Sequence, residues 1–481
     1  MTVPSVRIRC LNGKEPVSSA DYVLYWMVAF RRLSYNFALQ RAVEWATKLG
    51  KPLVILEPLR VDYPWASDRF HAFITGGMRD NASAAAHSGV TYYPYLELSP
   101  GAGKGLVAAL AAQACAVVTD DYPAFFIPRA IEIASARFPV LTEAVDSNGI
   151  LPVRIAGATF PSAYAFRRFL QRTLPEHVEM VPVRNPLESV SLLPLKDLPT
   201  DVLCRWPRTN LGAIDIGELP VDHAVCPTDQ RGGTSAATDL LGQFISQGLR
   251  RYAASRNDLA DPATSGLSPY LHFGHISTHE IFLRVAASED WSPERLSPNP
   301  AGKRSGWWGM GEDAEAFLDQ LITWRELGFN QCASDLDYDS YNSLPTWAIA
   351  TLEEHAGDDR PALYGRNELE TAQTHDALWN AAQRQLVREG RVHNYLRMLW
   401  GKKILEWTAH PREALATMID LNNKYALDGR DPNSYSGIFW CLGRYDRPWP
   451  ERSVFGKVRY MSSARTARKL DVDEYLRSYS A

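Results

Sequence analysis

Asn422, Asn423, Asp428, Arg430, Asp431 and Asn433 fall within a dozen positions of LNNKYALDGRDPNSYSGIFW, residues 421 to 440. Carboxylates, amides and a guanidinium at this density suit one of two jobs. DGRDPN (428–433) has a turn built into it, because Asp-Gly and Asp-Pro-Asn favour non-helical backbone with locally bonded side chains. Such a loop can use all its polar groups on its own backbone. The same set, ending in the apolar GIFW, also suits a polar ligand with a flat ring, since binding sites are mostly apolar with a few convergent polar groups.

A second candidate is RVHNYLRMLWGKKILEW (391–407), read as a helix. Asn394, Arg397 and Trp400 recur at i, i+3 and i+6, Tyr395, Met398 and Lys402 share a side, and Trp400 and Trp407 lie two turns apart. A core helix with two packing tryptophans and a surface arginine gives the same pattern. In ATSGLSPYLHFGHIS (263–277), Thr264, Ser265 and Ser268 surround Gly266 ahead of a helix. Hydroxyls and backbone N–H groups so placed suit a phosphate or diphosphate, and an ordinary capped loop looks similar. PGAGKGLVAAL (100–110) is neither GxxxxGK[ST] nor GxGxxG, and reads as a glycine-rich turn opening a helix.

The elements that must position these residues divide the chain. Residues 20 to about 180 alternate strand and helix: a helix in 32–50 stopping at Gly50, a strand in 51–59, a helix after Ser67 as N-cap, then strands at VTYYPYLEL and AVVTDDYP (116–123) around the alanine-rich 106–114. That alternation predicts parallel βαβ units. Residues 181–232 hold seven prolines and predict an interdomain connection over the surface. From 233 to 481 helical patterns dominate, as in 235–257, AEAFLDQLITWRELGFNQ, HDALWNAAQRQLVREG and PREALATMIDLNNKYA. The expected architecture is an α/β domain over 1–180 with a parallel, Rossmann-like sheet, a linker, and an all-α domain over 233–481.

A chain of 481 residues exceeds one ordinary core, which agrees with that division. The 14 Trp and 21 Tyr serve large helical cores or stacking surfaces for a flat ligand. Six scattered cysteines with no CxxC argue against a disulfide framework or a structural zinc site and fit a reducing cytoplasm. There is no apolar leader and no run of about 18 apolar residues, so a soluble intracellular protein is expected. Net charge is −4, yet residues 391–469 carry 15 Lys or Arg against 7 Asp or Glu, which makes them a candidate phosphate-facing surface or a solvated helix face.

TSGLSPYLHFGHIS, HDALWNAAQ, HNYLRMLWGKKILEW, LNNKYALDGRDPNSYSGIFW and ERSVFGKVRYM, with YVLYWMVAFRRLSYNFAL near the N-terminus, together resemble the photolyase/cryptochrome family, and within it the class II DNA photolyases. The resemblance spans nearly the whole chain in family order. It implies an α/β domain followed by a helical domain that folds FAD into a U shape. It also implies light-driven electron transfer from fully reduced FAD to a cyclobutane pyrimidine dimer flipped out of DNA. Flipping is a known property of photolyases as a class and enters through the resemblance alone.

By motif, the resemblance places Tyr252, Thr264, Ser265, Leu267 and Ser268 on the diphosphate side of FAD. Arg397 and Asp428 become an ion pair beside the isoalloxazine ring, with Asp431 also on the cofactor and Asn422 facing its N5. Trp400, Trp379 and Trp407 match the tryptophan chain that returns electrons to an oxidised flavin. Trp324, Tyr395, Met398 and Trp440 would contact the lesion, and Trp449 and Arg459 would fill or brace the gap in the duplex. A monomer in the cytoplasm or on the nucleoid is implied, bound to DNA containing pyrimidine dimers, with no membrane and no metal. An antenna chromophore of unknown identity is possible. Two departures stand out. Gln320 replaces the glutamate usual for repair enzymes, with Asp319 an imperfect substitute, and the Trp440–Trp449 segment is one residue short. A cryptochrome-type blue-light receptor, or a relative acting on another substrate, is the alternative that Gln320 supports.

Overall fold

The computed structural model describes residues 2–188 and 190–480. Six strands form one sheet: β1 (Ile8–Cys10), β2 (Tyr22–Trp26), β3 (Leu53–Leu59), β4 (Thr91–Leu96), β5 (Ala114–Asp120) and β6 (Thr142–Val145). Their order is β1-β6-β5-β2-β3-β4, parallel throughout except for β1 against β6. YVLYW and ACAVVTD are buried at every position, the continuous apolar run expected of strands covered on both faces.

Helices α1 (Phe37–Leu49), α2 (Asp68–Ala85), α3 (Leu106–Ala111) and α4 (Ile127–Ser135) supply the crossovers. Asn36 caps α1 by accepting the Ala38 and Leu39 N–H groups, and Gly50 ends it at φ 61°. Ser67 occupies the N-cap position of α2, but its hydroxyl makes no capping bond. Its backbone pairs instead with Asp222. Asp120, at the carboxyl end of β5, accepts N–H bonds from Val28, Ala29 and Phe30 and the Tyr25 hydroxyl, which fixes the turn after β2. Burial raises its pKa above the ordinary carboxylate value even so.

Two compact units divide the chain. The first is 1–155, 174–242 and 266–287, and the second is 156–173, 243–265 and 288–481. Residues 181–232 therefore belong to the first unit. They do not lie wholly over its surface, because Leu198, Val202 and Trp206 enter its core. Thr209 covers the edge strand β4, its hydroxyl accepting the Leu96 N–H and its own N–H reaching the Pro94 carbonyl.

The second unit contains only helices and connections among its described residues. Its principal elements are a long run over 312–334, then α5 (Ala377–Glu389), α6 (Asn394–Trp407), α7 (Pro411–Tyr425) and α8 (Pro432–Cys441). The run 312–334 is not the uniform helix its periodicity predicts, because Asp319–Trp324 opens into a π segment. Phe244–Gly248 does the same inside the predicted helix 235–257. Such π turns widen the hydrogen-bond ladder to i→i+5 and concentrate at functional sites.

Candidate functional site

The polar stretch 421–440 uses several of its side chains on its own backbone. Residues 427–430 form the turn between α7 and α8, and Arg430 adopts φ 65° in its tight part. Asp431 caps α8 by accepting the Asn433 N–H at 2.8 Å, and the Asn423 side-chain oxygen Oδ1 accepts the Arg430 N–H at 2.9 Å. Asp428 pairs with Arg397 of α6. Arg397 Nη2 lies 2.9 Å and Nη1 3.4 Å from its two oxygens, both side chains being half-buried. Asn422 is buried and donates to Ser434 Oγ at 2.9 Å, which fixes the amide at the α7–α8 junction. Asn423 donates to the Tyr435 hydroxyl at 3.0 Å.

The tryptophans separate into two groups. Trp400 and Trp379 are linked by the Trp379 indole N–H, which donates to the Trp400 carbonyl at 3.0 Å. The Trp379 and Trp407 ring centroids are 5.6 Å apart at 71°. All three are buried, and Gln383 accepts the Trp400 indole N–H at 2.8 Å. Beyond Trp407 the rings of Tyr364 and His375 follow at 5.4 and 5.3 Å, hydrogen-bonded to each other at 2.6 Å. Sequence reasoning missed Gln383, Tyr364 and His375. Gln383 sits one turn after Trp379 in HDALWNAAQ, a spacing that could have found it, whereas Tyr364 reaches Trp407 only through the fold.

In the second group Trp324 and Trp440 lie 6.1 Å apart, both half-exposed. The Arg459 guanidinium stands over Trp440 at 5.7 Å and over Trp449 at 4.3 Å. Asp446 accepts the Trp449 indole N–H at 3.2 Å and lies 3.8 Å from Arg459. Tyr395 packs under Lys469 at 4.7 Å, and the Met398 carbonyl lies 3.9 Å from Cys441 Sγ, next to Trp440. Trp324, Trp440, Trp449 and Arg459, distant in sequence, thus form one aromatic and cationic surface.

Gln320 belongs to the π segment, four residues before Trp324. It is half-buried, and its side-chain amide makes no hydrogen bond to another described residue. Asp319 cannot stand in for a carboxylate at 320. It is held by Arg167, whose Nε and Nη2 lie 2.8 and 3.2 Å from its oxygens.

On the proposed diphosphate side, Tyr252 is buried against Phe244 and Phe317 at 6.0 and 5.3 Å. Burial raises its hydroxyl pKa, opposed by Arg256. Thr264 is exposed and Ser265 half-exposed, both in the same unit as Tyr252. Leu267 and Ser268 fall in the first unit, so that set is divided between the two. Within the second unit the donors suit FAD: the Thr264 and Ser265 hydroxyls for a diphosphate, and a half-buried ion pair with a fixed amide for a polar flat ring.

No protein-family model matches the chain. The deoxyribodipyrimidine photo-lyase of Methanothermobacter thermautotrophicus is 37% identical over 98% of this chain and 97% of its own length. The chain belongs to the photolyase/cryptochrome family. The deoxyribodipyrimidine photo-lyase of Oryza sativa subsp. japonica is 35% identical, over 98% of this chain and 89% of its own. Among solved structures, a class III photolyase from Agrobacterium tumefaciens superposes with a TM-score of 0.68 over 96% of this chain and 86% of its own, at 17% identity. That likeness bears on the photolyase fold alone. No helix among the described residues is long and apolar enough to cross a membrane.

Proposed function

We propose that this chain is a light-driven deoxyribodipyrimidine photo-lyase of class II, a monomer that uses fully reduced FAD to split cyclobutane pyrimidine dimers in DNA. The observation that carries the reading furthest is the Trp324–Trp440–Arg459–Trp449 surface, in a chain related over its full length to proteins of that name. Aromatic faces receive extruded bases of any sequence, and a guanidinium over two rings braces them and faces phosphate. Binding should therefore weaken with salt.

FAD, when bound, supplies the light-excited electron that the dimer accepts. Tyr252, Thr264 and Ser265 would hold its diphosphate side. Arg397 and Asp428 would hold the ring, Asp431 would fix the loop beside it, and the Asn422 amide would face N5. An amide can donate or accept, so it tolerates either protonation state at that atom. Trp400, Trp379 and Trp407 would carry electrons inward, and the half-exposed Tyr364 would continue that line toward solvent with His375 able to take its proton. Tyr395 and Met398 would complete the lesion contacts, and Gln320 would donate to a base carbonyl without supplying a proton.

The test is loss of pyrimidine dimers from UV-irradiated DNA with photoreduced protein, in blue light and in darkness. Light-dependent loss supports the reading. A protein that binds flavin and photoreduces it without dimer loss supports the second reading, a blue-light receptor of cryptochrome type. Gln320 is the observation that favours that alternative.

A further inference from the structure

Lys402 lies in α6 one turn beyond Met398 and is 1% exposed. Among the described residues no carboxylate pairs with it. Its one hydrogen bond runs from Nζ to the carbonyl of Cys441, at 2.6 Å. Cys441 is the last residue of α8 and the neighbour of Trp440. The final carbonyls of a helix lack partners within it, and the negative end of the helix dipole falls there, so a cation meets both needs. Exposed lysines ordinarily do this at little cost. Burying an ammonium with a single partner is expensive, and such groups cluster where geometry must be held.

The packing leaves α6 and α8 little freedom here. A Cβ on Gly401 would stand 2.5 Å from Cys441 Sγ and 3.1 Å from Met418 Sδ, so only glycine lets the helices approach this closely. From the pinned end of α8 the chain runs through Gly443 and Tyr445, both with positive φ, to Asp446 and Trp449. Asp446 then holds the Trp449 indole beside Arg459, which covers Trp440 and Trp449 together.

We propose that Lys402 is a positioning residue for lesion recognition: through the Cys441 carbonyl it fixes the end of α8, and so the spacing of Trp440 against Trp324, Arg459 and Trp449. The inference rests on the repair reading above. It also gives the shortened Trp440–Trp449 segment a physical basis, because a brief connection transmits a displacement of one end to the other.

Burial pushes the Lys402 ammonium down to about 8, with Cys441 and Asp446 favouring the charge and Arg459 opposing it. The Cys441 thiol is pushed up to about 11 by burial and stays neutral below that. Met418 of α7, packed at Gly401, and Trp379 and Gln383 of α5, bonded to Trp400, are uncharged. Lys402 therefore loses its charge as pH rises through about 8, and a charge-assisted hydrogen bond becomes a neutral one of roughly half the strength. The unfolded chain binds this proton up to lysine's ordinary value. Between the two values folding stability rises with pH, so a binding loss there does not come from unfolding at this group.

The experiment measures affinity of the flavin-loaded protein for duplexes with and without a thymine dimer, by fluorescence anisotropy from about pH 6.5 to about pH 9.5. Wild type should lose about three- to tenfold in dimer discrimination across that range. K402M should show a low, flat profile, and K402Q, which keeps an N–H donor without the charge, a flat profile at the wild-type high-pH level. Flavin photoreduction should be unchanged in both variants. Replacing a buried charge by an apolar side chain of similar length is usually tolerated by the fold, and the wild-type profile needs no variant. Full discrimination by K402M, or a wild-type profile that is flat, would overturn the role of Lys402 alone. A wild type that prefers dimers at no pH would overturn the repair reading and this role with it.

Discussion

Trp379 and Trp407 are each at most 1% exposed, their rings meet edge to face at 5.6 Å, and the Trp379 indole N–H is satisfied by a backbone carbonyl. Trp324, Trp440 and Trp449, in the same helical unit, are half-exposed, and Arg459 stands over two of them. The first set is buried and its members touch one another. The second offers open ring faces and a nearby cation. On the proposed reading, burial and charge rather than residue type separate a route for electrons from a surface for bases.

The sharpest way to break the comparison is Trp379→Phe. It replaces the middle indole by a phenyl ring that lacks the N–H donor, at a stability cost of about 1–3 kcal/mol. Photoreduction of oxidised flavin, followed by absorbance under blue light with an external reductant, should slow by orders of magnitude. Dimer binding should stay at the wild-type level. If binding falls equally, the two sets are not separate. Next in size is Arg459→Ala, which strips the cation from Trp440 and Trp449. Affinity for dimer-containing duplex should fall about ten- to thirtyfold, with the salt dependence of binding reduced and photoreduction unchanged.

Sequence carried these two regions unequally. The α/β alternation, the stop at Gly50 and the helices of the second unit follow from short-range periodicity and local capping, and the structure has them. Arg397 and Asp428 are 31 positions apart, and their pairing came from the family resemblance, while the turn chemistry of DGRDPN showed only that a loop lies there. The core role of Trp206 was hidden, because proline-rich segments read as surface and only the cover over β4 explains the burial. The π segment at 319–324 was hidden too: DQLITW has the same apolar spacing as an ordinary helix, and the widened turn depends on packing around it. The Arg167–Asp319 pair joins residues 152 apart, a distance no periodicity reaches.

That pair decides what position 320 can do, and it sets the smallest and most discriminating prediction. Because Arg167 holds both oxygens of Asp319, no carboxylate next to 320 is free to act in place of the missing glutamate. Gln320 has a side-chain amide that no described residue engages, four positions from Trp324, so a glutamate there would break no existing bond. Gln320→Glu should leave fold stability within about 0.5 kcal/mol. A protonated carboxyl could then donate to a base carbonyl, as the Gln320 amide can, and could also move a proton, which the amide cannot. Dimer repair by photoreduced protein should rise about two- to tenfold, and more at lower pH, where the new carboxyl is protonated. Photoreduction and the Trp379–Trp407 route should not change. An unchanged repair rate with intact dimer binding would mean that the open aromatic surface is used for a different ligand or a different outcome, which is what a light receptor built on the same helices would show.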